Sequence, residues 1–292
     1  MSKVSDYILS GVFRLISWFP LRILYIFSDL FYVVVYYVAG YRKKVVRKNL
    51  ELSFPEMGTE ERKKTEKDFY RYLCDSFLES VRVISMPEKE MRARMVFRNS
   101  ELVDRYTREG RSVILCLGHY GNWEWVPSLF LHLNVKSIGG QLYRPLKNKF
   151  FDNFYLNIRQ KWGTICIPKN DILREIRSIK ETGLPFVIGF MADQTPSKNN
   201  IHYWTTFLNQ DTPVLIGPEK ISTKGDYVVI YLDVTRKKRG YYEGEYTLIT
   251  DQAKKEEPFF ITETYIKMME NTIRRNPAYW LWTHKRWKHK KE

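Results

Sequence analysis

His119 and Glu124 follow a single apolar segment, and they are residue types that general base catalysis uses. Residues 113–117 read VILCL, which predicts a buried strand, and residues 118–124 read GHYGNWE. In parallel α/β sheets, functional side chains gather at the carboxyl ends of strands, and glycines permit a tight backbone there. His119 therefore occupies a position where a catalytic imidazole is expected.

The spacing of His119 and Glu124 restricts how they can meet. Five residues apart on one helix, they would lie about 140° apart, on different faces. They can meet if His119 precedes a helix that Asn122 caps, because Glu124 then lies in the first turn and can reach back. A carboxylate on one ring nitrogen orients the imidazole and leaves the other nitrogen to accept a hydroxyl proton. We predict His119 and Glu124 as the catalytic pair, over the alternative that His119 only caps a turn.

A covalent intermediate has no good candidate nucleophile. The sequence contains no nucleophilic serine motif, and Cys116 lies within the apolar segment, where cysteine usually behaves as a small hydrophobic residue. We therefore predict that an acyl group would be transferred directly to the acceptor hydroxyl, without an acyl-enzyme intermediate.

The surrounding pattern alternates between strands and helices. Short β-rich runs are predicted at 113–117, 164–168, 186–190, 227–234 and 246–249. Helices are predicted around 59–85, 122–133, 146–160, 170–182, 214–224 and 258–275. This alternation predicts an α/β fold with a mostly parallel central sheet flanked by helices.

Residues 7–41 form an apolar segment that only Arg14, Arg22 and Asp29 interrupt with charge. Its longest uncharged stretch is shorter than the roughly 20 residues that a single span needs. On a straight helix the three charges fall in a sector of roughly 80°, although Pro20 is expected to break the helix. The pattern predicts one or two apolar helices that lie in the membrane interface or dip into the bilayer.

The basic segment 42–48 comes directly after the apolar one and contains five cations. Such a flank stays on the cytoplasmic side and is attracted to anionic lipid. We predict membrane-associating helices at 1–41, a basic flank and helical segment at 42–94, and a catalytic α/β domain at 95–292. A buried N-terminal hairpin packed on the globular domain is the alternative.

The composition limits the classes of partner. With 48 Lys and Arg against 33 Asp and Glu, the formal net charge is +15, which attracts nucleic acid, anionic lipid or an acidic carrier protein. The tail 285–291 invites the nucleic-acid interpretation, but no nucleic-acid motif is recognisable and the apolar N-terminus would be unexplained. The three cysteines and five histidines show no metal-ligand spacing and indicate a reduced compartment.

The sequence resembles the lipid A late acyltransferases (lauroyl and myristoyl transferases) of the glycerolipid acyltransferase superfamily. The resemblance rests first on GHYGNWE, which is similar to the superfamily signature of a histidine, four residues and an acid. Further blocks follow in order and extend it over nearly the whole chain: NLELSFP at 49–55, YRPLKN at 143–148, ADQ at 192–194 and WLWTHKRW at 280–287.

The resemblance implies an activity and a set of substrate contacts. It implies transfer of a fatty acyl chain from an acyl carrier protein thioester to a lipid A precursor, at the cytoplasmic face of a Gram-negative inner membrane, without metal or cofactor. Arg144 and Arg159 would hold anionic groups or the developing oxyanion, and Asp193 would support the site. Asn122 and Lys147 complete the predicted substrate-binding set. A lysophospholipid or an amino-acid lipid is the alternative acceptor.

Overall fold

The computed structural model describes residues 3–291, which form a central sheet with helices on both sides. The helices are α1 (Lys3–Ser17), α2 (Leu21–Tyr32), α3 (Lys43–Ser53), α4 (Thr59–Val83), α5 (Glu88–Arg94), α6 (Glu101–Arg108), α7 (Lys149–Gln160), α8 (Ile172–Glu181), α9 (Gly217–Gly225) and α10 (Phe260–Arg275). The strands are β1 (Met95–Arg98), β2 (Val113–Leu117), β3 (Ile138–Tyr143), β4 (Ile165–Pro168), β5 (Phe186–Met191), β6 (Trp204–Phe207), β7 (Gln210–Pro213), β8 (Val228–Lys238) and β9 (Tyr241–Thr250). A π-helical segment (Val33–Val38) continues α2, and short 3-10 helices lie at Val126–Leu131, Lys198–Asn200 and Pro277–Tyr279.

The main sheet confirms the predicted mostly parallel architecture. Its strand order is β1-β9-β8-β2-β5-β3-β4, and every pairing is parallel except β8 with β9. Strand β2 lies between β5 and β8 and is buried along its whole length, which explains its unbroken apolar sequence. In the β2–β5 register Leu117 lies opposite Met191, so the loops after these two strands leave the sheet side by side.

Several sequence-based assignments differ from the structure: strands β1, β3, β6 and β7 and helix α6 were not predicted, and one predicted helix is absent. The predicted helix over 122–133 is a series of turns followed by the 3-10 helix Val126–Leu131, because Pro127 lacks the N–H that a continuous α-helix would need there. Strand β3 was not predicted, because Gly139 and Gly140 lower its strand propensity. A Cβ at Gly139 would lie 2.5 Å from the Phe130 ring, so close packing requires glycine.

The N-terminal helices confirm the break at Pro20, since α1 ends at Ser17 and α2 begins at Leu21. Among the described residues one helical stretch, Leu21–Val38, is long and apolar enough to cross a membrane, with a mean hydropathy of 1.6. One side of α2 packs on α4, as the hairpin alternative expected, while a broad apolar surface remains exposed. That surface comprises Tyr7, Ile8, Val12, Leu15, Trp18, Phe19, Ile23, Ile26, Phe27, Leu30, Phe31, Val33, Val34, Tyr37, Val38 and Tyr41.

Candidate active site

His119 and Asp193 meet at the carboxyl edge of the sheet. Each lies two residues after its strand, β2 and β5 respectively, and the parallel register brings the two loops together. The backbone N–H of His119 donates to Asp193 Oδ2 at 2.9 Å, and the ring nitrogen Nδ1 lies 2.7 Å from Asp193 Oδ1. Two bonds to one carboxylate fix both the loop and the imidazole ring.

Asp193 is fully buried behind the imidazole. Burial alone would raise the pKa of Asp193. The charge of His119 and the hydrogen bonds from His119 and Trp280 outweigh burial and lower the pKa to about 2. Trp280 contributes an indole N–H at 2.8 Å. Asp193 is therefore an ionised carboxylate at neutral pH. The His119 side chain retains 17% of its exposure, so the ring borders the surface while its carboxylate does not.

The two glycines of GHYGNWE have the steric role that the sequence predicted. A Cβ at Gly118 would lie 2.3 Å from Met269 Sδ and 3.4 Å from Asp193 Oδ2. Gly121 has a φ of +59°, and a Cβ there would lie 2.8 Å from Val234 Cγ1. A side chain at Gly118 would thus displace the end of the Met269 side chain, and Gly121 adopts a left-handed conformation that favours glycine.

Glu124 pairs with Arg159, and the predicted contact between its carboxylate and the His119 ring is wrong. The Arg159 guanidinium of α7 donates to both carboxylate oxygens, at 2.7 and 2.6 Å, and Trp123 Nε1 donates at 3.0 Å. Because no helix begins at residue 122, Glu124 is carried in a turn that faces α7. Burial lowers the pKa of Arg159, but Glu124 raises it overall, so the guanidinium stays charged.

Trp123 lies between the two carboxylate pairs. Its ring packs edge-on to the His119 ring, with 5.4 Å between centroids, while its N–H holds Glu124. The site therefore contains two neighbouring pairs, His119 with Asp193 and Arg159 with Glu124. Arg159 is the predicted arginine that the structure brings to the site.

The other residues predicted to bind substrate are either fully buried or exposed at the protein surface. Asn122 is fully buried and donates to Glu79 Oε2 at 2.7 Å, so it does not cap a helix. Its predicted role as a helix cap is therefore wrong, and its contribution to substrate binding stays a prediction. Arg144 and Lys147 are exposed in the segment between β3 and α7, and their binding of anionic groups stays a prediction. Within residues 3–291, neither is joined to His119 by a hydrogen bond or ion pair.

A narrow apolar cavity opens beside the two pairs. Trp123 and Arg159 lie at one part of its wall, and the rest comes from β2, β3, β5 and the 3-10 helix Val126–Leu131. Its remaining lining residues are Leu117, Val126, Pro127, Leu129, Phe130, Gly140, Gln141, Leu142, Val187, Gly189 and Met191. The arrangement places an imidazole, a fixed cation and an apolar cavity next to one another.

Sequence reasoning from residue chemistry missed the contribution of the C-terminal block. The Leu281 N–H donates to the His119 carbonyl at 3.1 Å, and His284 Nε2 accepts from the Thr195 N–H at 3.2 Å. Burial, with the charges of Arg286 and His119, lowers the pKa of His284 to about 4 although Asp193 acts in the opposite direction. In the sequence, the aromatic and basic residues of segment 280–287 could have drawn attention to this block. Its proximity to His119 becomes visible only in the fold.

The buried Arg286 completes this block. It is fully buried, it donates to the Pro213 carbonyl at 2.8 Å, and burial lowers its pKa to about 10.

Among residues 3–291, no group of three or more His, Cys, Asp or Glu side chains could hold a metal ion. Cys116 is fully buried within β2, and burial raises the pKa of its thiol to about 12. That thiol is a poor nucleophile at neutral pH.

Comparison with known proteins places this geometry in context. The family model described as bacterial lipid A biosynthesis acyltransferase matches residues 1–289. The chain is 22% identical over 294 residues to the lipid A biosynthesis palmitoleoyltransferase of Escherichia coli (strain K12), with 94% of this chain and 91% of the relative covered. The lipid A biosynthesis acyltransferase of Shigella flexneri matches with the same identity and coverage.

Proposed function

Because this chain belongs to the bacterial lipid A biosynthesis acyltransferase family, we propose that it transfers a fatty acyl chain from an acyl carrier protein thioester to a hydroxyl of a lipid A precursor. The observation that carries the proposed chemistry is the His119–Asp193 pair beside an apolar cavity. The finer points, which are the thioester donor, the general base and the cytoplasmic face of the inner membrane, are part of this proposal.

In the proposed reaction His119 Nε2 accepts the proton of the acceptor hydroxyl while the hydroxyl oxygen attacks the thioester carbonyl. The carbon–sulfur bond then breaks, the carrier sulfur takes the proton that His119 held, and the carrier leaves as a thiol. Asp193 orients the ring, since its carboxylate engages Nδ1 and leaves Nε2 for the substrate. The high pKa of the Cys116 thiol supports direct transfer without an acyl-enzyme.

Arg159 is proposed to stabilise the oxyanion that forms on the thioester carbonyl. It is fixed by two bonds to Glu124 and lines the cavity, and a preorganised cation near developing charge is an effective stabiliser. Glu124 then acts through Arg159, which differs from the His119–Glu124 pair expected from the signature. Arg144 and Lys147 are proposed to bind phosphate groups of the acceptor, because both are exposed cations on the segment leading into α7.

The N-terminal helices are proposed to attach the enzyme to the inner membrane. Their exposed apolar surface is large for a protein in water, and the cations of segment 42–48 would meet anionic headgroups on the cytoplasmic side. Attachment would bring the site to an acceptor that is itself embedded in the bilayer. The positive net charge would attract the acidic carrier protein.

Mass spectrometry of lipid A tests this proposal. Deleting the gene should remove one fatty acyl group from the lipid A of the host, and complementation should restore it. Purified enzyme should acylate the precursor from carrier-bound donor, while the His119→Ala variant should not. Unchanged lipid A after deletion, together with acylation of a lysophospholipid or an amino-acid lipid instead, would contradict the proposed acceptor.

A further inference from the structure

The turn that carries His119 and Glu124 rests on a buried carboxylate from a different part of the fold. Glu79 lies on α4, is fully buried and plays no part in the proposed chemistry. Asn122, in the middle of the turn, donates its amide to Glu79 Oε2 at 2.7 Å. Trp125, at the end of the turn, donates its indole N–H to the Glu79 carbonyl at 3.2 Å.

The same carboxylate is bonded to the membrane-facing helix. Tyr25 on α2 donates its hydroxyl to Glu79 Oε1 at 2.7 Å, and Tyr242 on β9 donates to Oε2 at 2.7 Å. The three donors around this carboxylate require it to act as an acceptor. Burial, together with the charge of Asp75, raises the pKa of Glu79, and Arg236 and the two tyrosine hydroxyls offset that rise only in part. Tyr25 and Asn122 therefore contact opposite oxygens of one fixed group.

A second buried carboxylate strengthens the attachment of α2. Asp75, one turn before Glu79 on α4, accepts from Ser28 of α2 at 2.7 Å and from Arg236 at 2.7 Å. Arg239 bonds to Asp75 at 2.6 Å and to Asp29 of α2 at 2.7 Å. The polar side of α2 is thus tied to the catalytic domain by charged groups, while its opposite side is exposed and apolar.

These contacts lead us to infer that Glu79 is a positioning residue that joins α2 to the catalytic turn through Tyr25 and Asn122. The inference rests on the proposed function of the His119 turn. Its consequence is that α2 has two roles, membrane attachment and support of the active site. Because Asn122 is followed by Trp123 and Glu124, a shift of its amide would move the Arg159 pair and the ring that packs on His119.

The test separates support of the site from recruitment to membranes by measuring kcat and KM with acceptor dispersed in detergent micelles. Tyr25→Phe removes one hydroxyl and leaves the apolar surface unchanged. It should lower kcat about threefold to tenfold, the scale of one hydrogen bond, with KM for the carrier-bound donor nearly constant. Vesicle binding should match wild type. Tyr106→Phe is the matched control, since the Tyr106 hydroxyl on α6 also donates to a carboxylate, that of Asp251 at 3.0 Å, outside the site, and this variant should keep wild-type kcat.

Coupling through Glu79 gives the second readout. Glu79→Gln should lower kcat more than Tyr25→Phe, and the double variant should be no worse than Glu79→Gln alone, because both changes act through one group. If Glu79→Gln does not fold, Tyr242→Phe replaces it in the same cycle. Wild-type kcat in Tyr25→Phe, or losses that add fully in the double variant, would overturn the inference. Absence of acyl transfer by wild type in the same assay would instead contradict the proposed function.

Discussion

Asp193 and Glu124 are two carboxylates in neighbouring parts of one site, yet their partners are chemically different. Asp193 bonds to an imidazole, whose charge changes in the proposed reaction, and Glu124 bonds to a guanidinium, whose charge does not. Both are buried, and each makes two short bonds to that partner and accepts a third from a tryptophan indole N–H. The difference teaches that the acid of the signature need not be the acid that orients the histidine. Asp193 follows a different strand and reaches His119 because of the sheet register.

The largest effect is expected at the group that accepts the proton. His119→Ala should lower kcat about 10²- to 10⁴-fold, the usual contribution of a general base. His202→Ala is the matched control, because His202 is exposed and lies outside the site. Circular dichroism and thermal unfolding should show that both variants fold. Substantial activity in His119→Ala would remove the base from the mechanism.

Asp193→Asn should come next, with a loss of about 10²-fold or more in kcat at nearly constant KM. The amide keeps the volume but offers an N–H where His119 Nδ1–H requires an acceptor, so the ring would lose its orientation. The readout is steady-state transfer from carrier-bound donor. A rise in KM with unchanged kcat would instead indicate that Asp193 binds substrate, as the sequence first suggested.

Glu124→Gln should have a smaller effect, about tenfold to hundredfold, because it weakens charge-assisted bonds that hold Arg159 and leaves the imidazole pair intact. Arg159→Lys should fall in the same range, since lysine cannot donate to both carboxylate oxygens. Single-turnover rates for the two variants check this. A loss in Glu124→Gln that exceeds the loss in Asp193→Asn would reverse the roles assigned to the two carboxylates.

The part of the site that the sequence predicted is the part that local rules determine. An apolar strand followed by glycine and histidine placed His119 at the end of β2, and the alternation of elements predicted the parallel sheet. The partners of Glu124 and His119 were beyond local rules. Asp193 lies 74 residues from His119 in sequence, and only the adjacency of β2 and β5 brings them together.

Two further misses have physical causes in packing. The helix expected after His119 was assigned from composition, although Pro127 and the turn at Gly121 prevent it from starting before Val126. Strand β3 was missed because Gly139 accommodates the ring of Phe130, a tertiary contact that no periodicity reports. The domain boundaries expected at residues 41 and 94 stay predictions.

The cavity supplies a smaller and graded effect. Gly189 has room for a Cβ, whose nearest neighbour would be Leu117 Cδ2 at 3.7 Å. Gly189→Ala should therefore fold normally and Gly189→Val should shorten the cavity, shifting preference to shorter chains by about fourfold per methylene excluded. Competition between carrier-bound donors of different length measures this. An unchanged chain preference in Gly189→Val would place the acyl chain elsewhere.

The smallest effect concerns stability and pH at His284. Because burial lowers its pKa in the folded state to about 4, the unfolded chain binds more protons at this residue between pH 6.5 and 4. The stability of the wild-type protein should therefore fall as the pH falls through this window, and the stability of His284→Gln should fall less steeply. Thermal unfolding of both proteins from pH 7 to pH 4.5 gives the comparison. Parallel pH profiles would show that His284 does not contribute.

The most direct test of the comparison between the two carboxylates is the ring proton of His119. With ¹⁵N-labelled histidine, the wild-type protein should show a downfield Nδ1–H resonance, assigned by its loss in His119→Ala. The account predicts that Asp193→Asn abolishes or strongly shifts this resonance and that Glu124→Gln leaves it in place. Loss of the resonance in Glu124→Gln with its retention in Asp193→Asn would contradict the account.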